Sequence, residues 1–283
     1  MAAYFAENPP VKFDSKKESP LNDVHGRLIH CHIAFACAHM SSDARTTELR
    51  SNYDKIRSNV PSEVTLVAVS KLKPSSDIQI LYDHGVRHFG ENYIQELISK
   101  SEELPGDIKW HFIGSLQSNK AKLLASSVRG LYAVETVDSV KKANELNKGC
   151  RERTGRLNVY IQINTSDEPD KSGVSRAEAG PLARHIIEAC DKLSLLGVMT
   201  IGALATSRAH GEENRDFSAL KRVKADLDAE LGVSLVLSMG MSEDYPDAIE
   251  QGSNEVRVGS SIFGARPPKK SERVEADTAE EKE

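Results

Sequence analysis

"TLVAVSKLKPSSD", Thr65 to Asp77, decides the fold. Leu66 to Ser70 are apolar, small or β-branched, as in a buried β-strand, yet the run delivers the chain to Lys71. Lysine is rarely buried, because an ammonium without a partner in an apolar interior costs several kcal/mol or gives up its proton. Three residues later Pro74 and the serines after it open a helical pattern, "SSDIQILYDHG". A strand that ends on an amine and feeds a helix is one βα unit with its functional end marked.

The same unit recurs along the chain. Strand-like runs are expected at 65–71, 87–93, 109–114, 130–136, 157–164, 193–201, 233–240 and 255–263. Helical segments separate them, including "SVKKANELNKG", "RAEAGPLARHIIEACDKL" and "EENRDFSALKRVKADLDAELG", the last closing on Gly232, where a left-handed C-cap belongs. Eight strands alternating with helices over about 230 residues predict an α/β fold, a single closed (β/α)8 TIM barrel. A doubly wound open sheet is the alternative, weakened because no G-x-G-x-x-G follows the first strand. In a parallel barrel the ligand site lies at the C-terminal ends of the strands, so Lys71 faces it.

Composition narrows the partners. With 39% hydrophobic residues in 283, the chain can bury a large core, and a net charge of −5 with no massed Lys or Arg gives no reason to expect nucleic acid or an anionic membrane as a partner. No run of eighteen apolar residues suggests a membrane span. Cys31, Cys37, Cys150 and Cys190 form no C-x-x-C pair, which fits a reduced compartment, and a cytoplasmic location is expected. Residues 1–40, with their unexplained apolar stretch "LIHCHIAFACAHM", keep a mitochondrial location open. They read as a disordered extension; 41–268 is expected to be the barrel, opened by a helix over "SSDARTTELRSNYDKIRSNV" with Ser41, Ser42 or Asp43 as N-cap, and 269–283 a disordered charged tail.

Two further segments give Lys71 a chemical context. "LSMGMSED" at the end of the seventh strand offers Ser238, Met239, Gly240 and Ser242, and "EVRVGSSIFGAR" at the end of the eighth offers Gly259, Ser260 and Ser261. Loops after strands seven and eight of a barrel recurrently bind phosphate, since amide donors and a helix N-terminus together satisfy a dianion. Either segment alone is equally well a plain turn. Arg257 shares the side-chain direction of Gly259 and faces the interior, where it pairs with a carboxylate such as Glu91 or Glu255 or donates to a ligand's ring nitrogen. An imine-forming lysine, a phosphate cradle and an arginine between them describe a site for pyridoxal 5'-phosphate.

"VAVSKLKP", "HFGENYIQE", "WHFIGSLQSNK", "VYIQINTSDEPDKSG", "GVMTIGA" and "LSMGMSEDYPDAIEQGSNEVRVGSSIFGAR" together resemble the pyridoxal phosphate homeostasis protein family, the proline synthase co-transcribed homologues, over 40–268. The resemblance implies a barrel like that of alanine racemase (the type III fold of pyridoxal phosphate proteins) without the racemases' C-terminal β-domain. It implies that Lys71 holds the cofactor as an aldimine, that Asn92 lies close to it, and that Ser238, Met239, Gly259 and Ser260 hold its phosphate. The resemblance also implies that Arg257 faces the pyridine nitrogen. Ser260 stands where threonine is frequent, which keeps the hydroxyl.

Holding the cofactor does not require turnover. Racemisation needs two bases on opposite faces, and in alanine racemases the second is a tyrosine associated with the β-domain. The expectation is therefore a protein that stores, buffers or delivers pyridoxal 5'-phosphate, with apoenzymes as transient partners and the chain a monomer. A single-domain amino-acid racemase using Tyr93 or Tyr160 as second base is the alternative, and a barrel binding another phosphate ester without an imine is the third reading. His111 is expected to be a hydrogen-bonded core residue and Trp110 a core aromatic.

Overall fold

The computed structural model describes residues 43–166, 168, 172–202 and 213–265. The expected disordered ends, the stretch holding Cys31 and Cys37, and the N-cap candidates Ser41 and Ser42 lie outside these. Eight parallel strands close in chain order: β1 (Thr65–Val69), β2 (His88–Glu91), β3 (Lys109–Phe112), β4 (Leu131–Val137), β5 (Leu157–Gln162), β6 (Leu193–Met199), β7 (Val236–Ser238) and β8 (Glu255–Val258). A first helix, α1, runs over 43–57. After it come α2 (Ser75–Asp83), α3 (Ile94–Glu103), α4 (Ser118–Ser127), α5 (Val140–Gly149), α6 (Arg176–Ala189), α7 (Arg215–Leu231), α8 (Tyr245–Glu250) and α9 (Ser260–Phe263). The expected (β/α)8 barrel is the fold observed.

Period-two alternation sorts each strand into two layers. Leu66 and Ala68 of β1, Phe89 of β2, Trp110 and Phe112 of β3, and Val256 and Val258 of β8 point outward and form one continuous core with the helices. The inward residues differ in character: Ala133, Tyr160 and Met199 make a small apolar cluster, and the lumen also buries His111, Glu135, Glu255 and Arg257. Closure depends on β8, which pairs with β1 from Thr65↔Glu255 to Ala68↔Val258 but meets β7 only at Ser238↔Glu255.

Local signals work as physical chemistry requires. The Asn214 side chain accepts the Asp216 and Phe217 amides to cap α7, and Gly232 ends that helix at φ 64°. Ser175 and Glu178 form a reciprocal capping box on α6. One expectation is corrected: the eighth strand does not reach Phe263. It ends at Val258, because Gly259 (φ −120°, ψ −73°) turns the chain into α9, a single helical turn closed by Gly264 at φ 79°. Among the described residues no helix is long and apolar enough to cross a membrane, and Cys150 and Cys190 are free, buried thiols.

Candidate functional site

The C-terminal ends of β1, β7 and β8 surround a cavity of about 210 Å³ lined by Lys71, Arg257, Ser242, Gly259 and Ser260, with Val69 and Ile113 as apolar wall. Lys71 stands two residues beyond β1 and is half-buried. A Cβ added at Gly259 would sit 3.1 Å from the Val69 carbonyl oxygen, so glycine lets the end of β8 approach the end of β1. The Gly259 amide donates to the Ser242 hydroxyl at 3.1 Å, joining the two loops expected to cradle an anion.

Of the seven residues expected at the site, the cavity wall contains Lys71, Arg257, Gly259 and Ser260. Ser238 and Met239 lie behind it. The Ser238 hydroxyl donates to Glu135 Oε2 at 2.8 Å and accepts from Arg257, and the Met239 amide donates to the Glu255 carbonyl at 3.1 Å while its side chain packs in the outer core. From the β7–α8 loop the serine at the wall is Ser242, four residues on and past the left-handed Gly240 (φ 94°). Asn92 follows β2. Its Oδ1 is buried with no hydrogen-bond partner among the described residues, and its backbone lies where a Cβ on Gly114 would come within 1.9 Å.

Arg257 is fixed from below. Besides Ser238 it donates to the Thr200 carbonyl at 2.7 Å, and it lies 3.7 Å from Glu135 Oε2. Of the carboxylates suggested beside it, Glu91 or Glu255, Glu91 is elsewhere: on β2 it shares the outward parity of Phe89 and pairs with Lys100 of α3 at 2.7 Å. Burial pushes Glu91 up to about 6.

Beneath the arginine runs a buried polar chain. His88 Nδ1 meets His111 Nε2 at 2.9 Å, His111 Nδ1 meets Glu135 Oε1 at 2.8 Å, and the Tyr160 hydroxyl donates to Glu255 Oε2 at 3.1 Å. Burial pushes His88 down to about 3, keeping it neutral. Burial also opposes charge on His111, but the Glu255 and Glu135 carboxylates carry it above the ordinary histidine value. Burial and the neighbouring Glu135 charge push Glu255 up to about 7, whereas Glu135, despite its burial, is held low by His111 and Arg257. His111 is thus a hydrogen-bonded core histidine, and Trp110 is 1% exposed in the outer core.

Neither suspected second base reaches the cavity wall. Tyr93 is 52% exposed, and Tyr160 is 1% exposed within the lumen, its hydroxyl held by Glu255.

Known proteins match this architecture. The family described as alanine racemase, N-terminal domain, matches residues 45–267. The pyridoxal phosphate homeostasis protein of Schizosaccharomyces pombe is 47% identical over 227 residues, which cover 78% of this chain and 94% of that protein. PipY of Synechococcus elongatus, solved with pyridoxal phosphate bound, superposes with a TM-score of 0.66 at 32% identity, covering 76% of this chain and 100% of that one. An alanine racemase of Clostridium difficile shares the barrel at a TM-score of 0.64 and 18% identity, over 79% of this chain and 58% of the racemase.

Proposed function

The chain belongs to the pyridoxal phosphate homeostasis protein family, built on the alanine racemase N-terminal barrel, and from that premise we propose that it binds pyridoxal 5'-phosphate at the mouth of the barrel and holds it for delivery. One observation carries this reading: Lys71 and the trio Arg257, Gly259 and Ser260, expected from two stretches of sequence about 190 residues apart, converge on a single cavity.

The residues present fit the group. The amides and hydroxyls at Ser242, Gly259 and Ser260 suit a phosphate, with α9 opening toward the same cavity wall. Lys71 supplies an amine on a fixed backbone, and the buried Asn92 Oδ1 has a hydrogen-bond position left open. Ser238 and Met239 act from behind, Ser238 by orienting Arg257. Bound there, the cofactor supplies an aldehyde that condenses reversibly with amines. Arg257 presents a permanent cation to the ligand and so opposes protonation of a ring nitrogen, which weakens the electron sink that amino-acid chemistry needs.

Holding rather than turnover is favoured because a racemase requires a second base at the cofactor, and neither of the two tyrosines considered for that role lines the cavity. We include in the proposal a monomeric chain, transient contact with apoenzymes at the open mouth, and a cytoplasmic location, which the free thiols of Cys150 and Cys190 support. Borohydride tests the site. Reduction of protein loaded with pyridoxal 5'-phosphate is expected to fix the ligand on Lys71, read by peptide mass mapping; a phosphate ester held without an imine would leave every lysine unmodified.

A further inference from the structure

Lys71 is flanked by an unusual arrangement. The next residue, Leu72, adopts φ 61°, the sole left-handed non-glycine backbone among the described residues, and leaves its side chain 42% exposed. A residue with a β-carbon is disfavoured there and stays only where its surroundings impose it. Two side chains of α3 supply that constraint. The Leu72 amide donates to Glu96 Oε1 at 2.7 Å. The same oxygen accepts from Lys100 Nζ at 2.6 Å, and Lys100 also donates to the Ser70 carbonyl at 2.9 Å and to Glu91 Oε1 at 2.7 Å. Glu91 in turn accepts the Ser70 hydroxyl at 2.6 Å. Lys100 is 5% exposed, so its ammonium is committed to these three acceptors.

We propose that Glu96 and Lys100 are positioning residues for Lys71. They grip the backbone immediately before it, at the Ser70 carbonyl, and immediately after it, at the Leu72 amide, and so dictate the direction in which the Lys71 amine leaves the barrel rim. A turn free to relax Leu72 to negative φ would rotate the peptide that follows Lys71. The amine would then sample orientations away from the wall shared with Arg257 and Ser260. Ligand capture loses rate when a reacting atom is misplaced by as little as an ångström.

The inference rests on the reading of Lys71 as the cofactor lysine, and the test separates the two. Glu96→Ala removes the acceptor for the Leu72 amide while the buried Glu91–Lys100 pair stays intact, so the barrel is expected to fold with nearly wild-type thermal stability. In full-length protein, the rate at which pyridoxal 5'-phosphate becomes fixable on Lys71 by borohydride is expected to fall about tenfold. Adding Leu72→Gly to Glu96→Ala exchanges the strained leucine for a residue that adopts positive φ without penalty, and is expected to restore much of the rate. Amide exchange at Leu72 is read in parallel without ligand: slow in wild type, fast in Glu96→Ala, with the barrel strands unchanged. Wild-type capture rates in Glu96→Ala, or an unprotected Leu72 amide in wild type, overturn the proposal. If Leu72 exchange responds as expected but wild-type protein takes no ligand on Lys71, the grip stands and the cofactor reading falls.

Discussion

The Ser238 hydroxyl donates to Glu135 Oε2 at 2.8 Å across the barrel lumen and at the same time accepts from Arg257. Ser238 and Glu135, 103 positions apart in sequence, thereby join in holding the guanidinium at the cavity. Ser238→Ala leaves a buried carboxylate oxygen and an arginine donor short of a partner. The expected cost is about 1–3 kcal/mol of stability, measured by urea unfolding, together with weaker pyridoxal 5'-phosphate binding. Unchanged affinity would show that Arg257 needs no such support.

Gly259→Ala places a methyl against the Val69 carbonyl at 3.1 Å, in a wall shared with Ser260 and Ser242. Because the crowding falls where β1 and β8 meet at the cavity wall, affinity for pyridoxal 5'-phosphate is expected to drop by about tenfold, equivalent to about 1.4 kcal/mol. Titration followed by the cofactor's absorbance checks this. A comparable loss of affinity for inorganic phosphate as competitor would assign the effect to the anion cradle.

Three buried groups link stability to pH with the same sign. Glu91 at about 6 and Glu255 at about 7 are both raised by burial, and His111 is raised by its carboxylate neighbours against the pull of burial. A group whose folded value is raised contributes stability that is complete below its unfolded value and is lost as pH rises through the folded one. For Glu255 that window runs from about 4.5 to about 7. These groups therefore favour a Tm that falls as pH rises from 5 to 8. Glu255→Gln, which cannot ionise, is expected to flatten the slope. A slope unaltered by that substitution would mean that Glu255 titrates outside the range.

The fold was legible because its signals are local. Strand periodicity and Gly232 each act within a few residues, and the alternation they mark defines eight βα units. The strand ends were less so: "EVRVGSSIF" reads as continuous strand until Gly259 turns it into α9, since small residues suit both conformations. That Lys71, Arg257, Gly259 and Ser260 line one cavity was readable from their place at or just beyond the ends of β1 and β8. The partner of Arg257 was not. Parity excludes Glu91, which shares the outer face of Phe89, and that signal was present in the sequence; the choice of Glu135 depends on which strands face each other across a closed barrel. The grip of Glu96 and Lys100 on the Lys71 turn was hidden because α3 reaches the end of β1 only through the pairing of β1 with β2, which no local signal shows.

The central claim is that Lys71 holds the cofactor without turning over an amino acid. Exchange of α-protons tests it most directly: protein loaded with pyridoxal 5'-phosphate is incubated with a panel of L-amino acids in heavy water, beside Lys71→Ala and free cofactor at equal concentration, and loss of the α-proton signal is followed by NMR. Exchange no faster than with free cofactor is the predicted result. Exchange well above both controls would contradict the account and make the barrel an enzyme.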